Sequence, residues 1–252
     1  MLTAENFIYD KIENTKKDFD SKNQKLLSDV ESEIYTACVT KLIGFLKGAN
    51  YISENRIYFF SLLSKAEDMI VSSLHLARQR ASIETFSILR IAIEAIATAI
   101  HVSKEKKALY NYLKGSYKYT DSISYSKKHI PIIGEIWGAF SQAVVHINCR
   151  TYGPKIKIDK NKLYKSVTVN YEINPSDNAL DYLLLIAIQL IAVMAHRAFE
   201  IIFFKKILYD GKLWFSIPGT KLILMPITRY SDKIGELYNK FLDIGSFNRG
   251  EN

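Results

Sequence analysis

Apolar residues recur at helical spacing along most of the chain. Matches to a 3.6-residue period predict helices over residues 4–22, 24–47, 56–78, 80–103, 105–128, 131–147, 176–209 and 229–245. Gly48 follows the second of these as a stop signal, and Pro131 begins the sixth, where a missing N–H costs nothing. With 11 glycines and 5 prolines in 252 residues, the chain lacks the turn residues that a many-stranded sandwich needs. The pattern predicts a mainly α protein, a helical bundle in one domain over residues 1–252.

Two segments depart from the helical period. Residues 152–175 alternate polar and apolar positions, hold five lysines and are bounded by turn residues. They predict a small β-hairpin or extended arm inserted in the bundle. Residues 211–228 contain two glycines and two prolines and predict a loop region with room for a short strand.

The most apolar segment is the run 182–195, which has 14 uncharged residues framed by charged ones. A membrane span needs about 20 such residues, so the run predicts a central core helix and no membrane contact. The first residues include early acids and no apolar signal region, and the two cysteines, Cys38 and Cys149, lie far apart with no CxxC motif. These features favour a cytoplasmic, reducing location with two free thiols.

The formal net charge of +8 is concentrated in one part of the chain. Residues 101–170 carry 13 basic and 4 acidic side chains, whereas residues 1–100 carry 12 and 13 and residues 171–252 carry 9 and 9. A local basic excess is the expected footprint of a phosphate-bearing partner such as RNA, and the alternative is a solvated lysine-rich surface. The residues predicted to contact nucleic acid are Lys127, Lys128, Arg150, Lys155 and Lys157.

Three of the predicted apolar helices carry a stripe of polar residues. At roughly 100° per residue, Arg90, Glu94 and His101 fall within about 40° of one another. The other two stripes comprise Tyr182, Gln189, His196 and Glu200 on the 176–209 helix, and Gln142 and His146 on the 131–147 helix.

These stripes need partners, because an unpaired buried charge is strongly unfavourable. They could meet one another, a second subunit, or a ligand in a polar pocket. The structural alternatives are an i,i+4 ion pair for Arg90 and Glu94, and core histidines bound to backbone carbonyls for His146 and His196. A shared site would suit acid–base chemistry or phosphate binding. The candidate pocket residues are Ser141, Gln142, His101, Gln189, His196 and Glu200.

Several chemistries lack their sequence motifs. The chain has no G-x-x-x-x-G-K-[ST] loop, no G-x-G-x-x-G fingerprint and no G-x-S-x-G elbow. Glu-x-x-His pairs and Cys/His clusters are also absent, so we expect no metal site and no cofactor.

Two short motifs resemble those of an uncharacterised bacterial all-helical family related to the HEPN superfamily. The segment LRIAIEAIATAIHV resembles its R-x-x-x-E helix, and WGAFSQAVVHI resembles its second signature, an aromatic and a Ser followed by a His. The matching positions are Arg90, Glu94, Ser141 and His146. The resemblance covers roughly residues 60–150.

The resemblance implies a compact, often dimeric helical bundle that acts on or binds RNA, with many relatives being metal-independent ribonucleases of phage defence or toxin–antitoxin systems. Such an enzyme would use His146 as general acid/base, Arg90 to stabilise the charged phosphate, and Glu94 to orient Arg90. The superfamily's catalytic signature places a His four to six residues after an Arg, and no arginine here has one.

Two other functions remain open at this stage. The first is a non-enzymatic, dimeric interaction protein with buried Arg/Glu/His networks, which docks a protein partner through the lysine-rich hairpin. The second is a small-molecule sensor with a polar pocket inside the bundle. Geometry separates them, because each requires the polar stripes to face a different environment.

Overall fold

The computed structural model is mainly α-helical. It describes residues 4–48, 53–145, 155–158, 167–170, 177–203, 205–209, 212–216, 223–226 and 228–247. The helices in these ranges are α1 (Ala4–Gly48), α2 (Glu54–Arg78), α3 (Ser82–Lys104), α4 (Lys106–Leu113), α5 (Tyr119–Ser126), α6 (Ile133–Val145), α7 (Asp177–Phe203) and α8 (Thr228–Phe247). The strands are β1 (Lys155–Ile158), β2 (Val167–Asn170), β3 (Lys205–Tyr209), β4 (Lys212–Ser216) and β5 (Ile223–Pro226).

A helical hairpin of α2 and α3 forms one side of the core. Arg80, in the short turn between the two helices, has a left-handed backbone with φ 57°. The turn is closed by the amide of Ala81, which donates to the carbonyl of Leu76 at 3.0 Å. This sharp reversal lets α3 return along α2 and bury Leu89 and Ile93 completely.

Helices α3 and α7 lie at the centre of the molecule. Helix α3 contacts α2, α4, α5, α6 and α7, and α7 also contacts α1, α2 and α8. Every residue from Leu183 to His196 is buried. The segment Ala179–Phe203 is long and apolar enough to cross a membrane, but 83% of its most apolar window is buried against the rest of the protein. That burial agrees with the core helix expected from the sequence.

Helix α1 is kinked at Asn23, the residue at which the sequence pattern separates helices 4–22 and 24–47. Asn23 has φ −116° and ψ 15°, outside the helical range. Its side-chain amide donates to the carbonyl of Phe19, four residues earlier, at 3.0 Å, and a side chain bonded to the helix backbone is a known cause of kinks. A second bond, 3.4 Å long, joins the amide to the Asp181 carboxylate on α7.

The segment predicted as one helix over 105–128 is two helices. Gly115 ends α4 with φ 71°, a conformation that glycine adopts without steric strain. The amide of Ser116 then donates to the carbonyl of Asn111 at 3.0 Å, as in common helix C-terminal caps. The tyrosines and lysines that follow therefore lie on a loop and on the separate helix α5.

The described strands form two small antiparallel sheets. Strands β1 and β2 pair from Lys155 opposite Asn170 to Ile158 opposite Val167, inside the segment 152–175 that lacks helical periodicity. Strands β3, β4 and β5 form a second sheet in that order.

This second sheet corrects one sequence prediction and extends another. Residues 205–209 form β3 and do not extend the helix predicted over 176–209. The region 211–228, predicted as loop with room for a short strand, contains the two strands β4 and β5. The two residues between β3 and β4 are Asp210 and Gly211, a dipeptide strongly preferred in tight hairpins.

Candidate functional site

Arg90 and Glu94 form a three-residue cluster with Trp137 of α6. The Trp137 Nε1–H donates to Glu94 Oε1 at 2.8 Å, and the Arg90 guanidinium carbon lies 5.3 Å from the centre of the Trp137 ring. Arg90 Nε lies 3.3 Å from Glu94 Oε1 but is buried and makes no hydrogen bond. The Arg90 side chain as a whole is 34% exposed. Since Nε is buried, this exposed area belongs to other atoms of the side chain. The i,i+4 ion pair considered from the sequence is therefore present.

The candidates that follow Trp137 on α6 do not form a pocket with this pair in the described residues. The Ser141 hydroxyl donates to the carbonyl of Trp137 in its own helix at 2.7 Å, and Gln142 is exposed. His146, the predicted general acid/base, lies outside the described residues. Phe140 packs on Phe86, with 5.2 Å between the ring centres, whereas the earlier residue Trp137 contacts the later residue Glu94. Helix α6 therefore runs antiparallel to α3.

His101 belongs to a different cluster from Arg90 and Glu94. Its ring stacks on Tyr125 at 4.4 Å, and its Nδ1 lies 2.8 Å from the Tyr117 hydroxyl. Burial lowers the pKa of His101 and raises the pKa of Tyr117 to about 12. The predicted single stripe is thus divided, because 11 residues of helix separate Arg90 from His101 by about 16 Å.

The stripe on α7 is also divided. Glu200 is almost fully buried and accepts a hydrogen bond from Arg197 Nη1 at 2.8 Å, with His196 Nε2 3.5 Å from its other oxygen. One carboxylate thus serves two basic residues of its own helix. Tyr182 and Gln189 instead line an open groove between α1, α7 and α8.

The predicted nucleic-acid residues lie in several parts of the chain. Lys127 and Lys128 are exposed just after α5, and Lys128 Nζ lies 4.8 Å from the centre of the Tyr125 ring. Lys155 and Lys157 occupy β1 positions paired with Asn170 and Thr168. Arg150 lies outside the described residues.

The segment 104–128, here called the lysine–tyrosine segment, concentrates positive charge and aromatic rings. Its only acidic residues are Glu105 and Asp121. All seven of its lysines are exposed: Lys104, Lys106, Lys107, Lys114, Lys118, Lys127 and Lys128. Among its tyrosines, Tyr110 is 55% exposed and Tyr119 is 53% exposed.

The half-buried tyrosines of this segment support the exposed ones. Tyr119 meets the edge of Tyr117 at 6.0 Å, and Tyr117 meets Tyr112 at 5.8 Å. Tyr112 in turn contacts Tyr58 of α2 at 6.3 Å. Lys114 Nζ lies 4.4 Å from the centre of the Tyr110 ring. Tyrosines of the lysine–tyrosine segment thus both pack within the fold and face solvent.

Two buried ion pairs were missed by the sequence analysis because their partners come from distant segments. Arg80 binds the fully buried Asp181 through Nε at 3.0 Å and Nη2 at 2.8 Å. Arg80 Nη2 also binds Asp18 at 3.0 Å. This clamp joins α1, the α2–α3 turn and the start of α7.

The second missed pair is Lys41 and Glu67, whose side chains are in close contact between α1 and α2. Lys41 Nζ also lies 2.9 Å from the Ser64 hydroxyl. Burial raises the pKa of the Glu67 carboxyl and of the neighbouring Cys38 thiol. Cys38 is free, as expected, while Cys149 lies outside the described residues.

Across the described part of the chain, no group of three His, Cys, Asp or Glu side chains is arranged to hold a metal ion. No protein-family model, curated protein or solved structure matches this chain.

Proposed function

We propose that this protein is a cytoplasmic, HEPN-like helical protein that binds RNA through its lysine–tyrosine segment. The observation that carries the proposal is the pair of exposed rings, Tyr110 and Tyr119, set among seven exposed lysines. Proteins that bind single-stranded nucleic acid combine the same two elements, a positively charged surface for the phosphates and aromatic rings on which bases stack.

The supported tyrosines favour stacking because little side-chain freedom is lost on binding. Tyr119 rests on Tyr117, which is itself bonded to His101. Lys114 beside Tyr110 places a positive charge where the phosphate next to a stacked base would lie. Base–aromatic stacking contributes about 1–3 kcal/mol per base.

The enzymatic form of this proposal requires Arg90, Glu94 and His146 to act on the bound RNA. Trp137 and Glu94 hold Arg90 in one orientation, which suits a residue that must stabilise a charged phosphate. His146 would move a proton to and from the ribose 2′-hydroxyl, so that no metal ion would be needed.

Binding is tested with a fluorescent single-stranded RNA and a DNA of the same sequence. We expect Tyr110→Ala with Tyr119→Ala to weaken RNA binding by about 10–100-fold, because two stacking sites are lost. The matched control is Tyr35→Ala, a tyrosine on α1 that is 70% exposed. Equal losses in the control and the test variant, or no binding to RNA at any salt concentration, would contradict the proposal.

The charge component is tested by the salt dependence of the same binding. Lys114→Gln with Lys118→Gln should reduce the slope of log K against log salt by about 1.4, at roughly 0.7 per phosphate contact. Lys65→Gln, an exposed lysine on α2, should leave the slope unchanged.

Catalysis is tested separately, by cleavage of a mixed RNA pool in EDTA with wild type beside His146→Ala. Metal-independent cleavage that the variant loses would support the enzymatic form. A folded wild type that binds RNA without cutting it would leave a binding protein, with Arg90 and Glu94 as part of the architecture.

A further inference from the structure

An open groove lies between α1, α7 and α8, away from the lysine–tyrosine segment. Its volume is about 670 Å³, within the range of about 300–1,000 Å³ typical of small-molecule sites. Helix α7 supplies Tyr182, Ile186 and Gln189, while α1 and α8 supply the two walls. The groove is therefore large enough for a small organic ligand.

Gln189 is the feature that marks this groove as a binding site. Its side chain is only 7% exposed, yet its amide forms no hydrogen bond with any described residue. The amide nitrogen and oxygen are not among the enclosed side-chain atoms that lack a partner, so they are open to the groove, where water or a ligand can reach them. Since Gln189 lines the groove, a ligand placed there can supply the missing donor and acceptor.

Apolar groups and an aromatic ring line the same groove as this amide. Ile186 on α7, Leu26 on α1 and Leu237 on α8 all line the groove. Tyr182 lies at the same wall and is 38% exposed, so its ring is accessible from the groove. These groups suit a flat, partly apolar ring whose polar edge reaches Gln189.

Lysines are present on both walls of the groove. Lys233 is paired with Glu33, Lys240 lies 2.6 Å from Glu236, and Lys22 lies 2.9 Å from Asp18 outside the groove. The fourth lysine, on α1, forms no ion pair with a described residue. The four lysines Lys22, Lys25, Lys233 and Lys240 face the three carboxylates of Asp29, Glu33 and Glu236, which leaves a net charge of +1.

We infer that the groove binds a nucleotide. The base lies against Tyr182 and Ile186 with its donor–acceptor edge on the Gln189 amide, the pairing that glutamine makes with adenine in nucleic-acid recognition. The phosphate lies at the rim, where Lys25 is free to bind it. This site does not depend on the proposed RNA binding, because it uses α1, α7 and α8, whereas the lysine–tyrosine segment includes α4 and α5.

Calorimetry on the full chain tests this inference with AMP, GMP, CMP, UMP, adenosine and inorganic phosphate as separate probes. We expect a nucleotide, AMP first, to bind more tightly than adenosine or phosphate. Gln189→Leu should weaken that binding by about tenfold or more, since the base edge loses its partner. Gln142→Leu, an exposed glutamine on α6, is the matched control.

Two further variants keep the test decisive if Gln189→Leu perturbs folding. Tyr182→Ala removes a partly exposed ring and should weaken nucleotide binding, and Lys25→Gln should weaken it less but reduce its salt dependence. Neither variant should change RNA binding. Equal binding of AMP by the wild type and all three variants would overturn the inference, as would loss of AMP binding in Lys114→Gln with Lys118→Gln. Phosphate binding as strong as AMP binding would also overturn it.

Discussion

Two polar residues of α7, Asp181 and Gln189, lie in contrasting environments only two turns apart. Asp181 is completely buried and is bound by Arg80 at two atoms, with Asn23 nearby at 3.4 Å. Gln189 is nearly as buried but has no hydrogen-bond partner among the described residues. Burial alone therefore does not distinguish a structural polar residue from a ligand-binding one. The distinction lies in whether another residue of the protein binds the side chain.

The comparison indicates how the other polar residues of the bundle divide. Glu200 resembles Asp181 in that its buried carboxylate has basic partners. In the case of Glu200, both partners, His196 and Arg197, lie on its own helix. Glu94 also has a partner in Trp137. Of the candidate pocket residues whose side chains are described, Gln189 is the one that is buried, unbonded and open to a groove.

Removing the carboxylate of the clamp should have the largest effect. Asp181→Ala leaves Arg80 without its buried partner, and loss of one member of a buried pair costs about 3–5 kcal/mol. Urea unfolding followed by circular dichroism measures the change in the free energy of unfolding. Asp18→Ala removes the exposed partner of Arg80 and should cost far less, because ion pairs at the surface contribute little to stability. Equal effects of the two variants would mean that Asp181 has no special structural role.

The Trp137–Glu94 hydrogen bond should contribute less, because Glu94 is partly solvated. Trp137→Phe keeps an aromatic ring but removes the donor, and we expect a loss of about 1–2 kcal/mol in the free energy of unfolding. Ser141→Ala on the same helix should be near neutral, since that hydroxyl bonds only to its own helix. A double-mutant cycle with Glu94→Ala, which removes the acceptor, checks the assignment, because the two losses should not add.

Gln189→Leu should lack the large loss expected for Asp181→Ala. The variant removes an amide that no described residue binds and keeps the volume of the side chain, so we expect the free energy of unfolding of the ligand-free protein to change by less than about 0.5 kcal/mol. Thermal unfolding without added nucleotide measures this change. A large loss of stability would mean that the amide is satisfied within the fold, and the contrast with Asp181 would fail.

The smallest effect concerns pH and His101. Burial lowers the pKa of His101 below its usual 6.5, so the folded protein binds this proton less readily than the unfolded chain does. Its contribution to stability is therefore complete above about pH 6.5 and is lost as the pH falls through the lowered pKa. His101→Phe keeps the stack on Tyr125 but cannot titrate. We expect the difference in unfolding free energy between wild type and variant to diminish from pH 7.5 to pH 5, and a constant difference would contradict this.

Much of the helical framework could be predicted from periodicity alone. The run 182–195 is the buried core of α7, and the boundary predicted at residue 23 coincides with the kink. The start of α6 differs by two residues, within the ordinary uncertainty of helix ends. Helix faces are set by local geometry, so an apolar pattern reports them directly.

Strand β3 was not predicted because Ile207 and Leu208 lie four residues after Phe203 and Phe204 and so continue the helical spacing of the apolar positions. Residues such as Ile207 and Leu208 fit either a helix or a strand, and only Asp210-Gly211 favours the hairpin. For short apolar segments, periodicity does not separate the two structures.

The polar stripes were recognised, but their partners could not be deduced. Arg80 and Asp181 are 101 residues apart, and Glu94 and Trp137 are 43 apart, so only tertiary packing brings them together. Arg90 and His101 share a helix face yet belong to different clusters because they lie three turns apart. Sequence thus identified some of the side chains that need partners, such as Glu94 and Glu200, but not Asp181 or Glu67, and the fold determined which partner each one has.

Position 80 makes opposite demands on its backbone and its side chain. The left-handed φ of 57° favours glycine, which would relieve about 1 kcal/mol of strain, whereas the Asp181 carboxylate needs a long, forked cation. The ion pair with Asp181 is the larger of the two contributions, so position 80 is arginine and not glycine. In a saturation library selected for folding, residue 80 should therefore return arginine almost exclusively, and glycine should be recovered only when position 181 has also lost its charge.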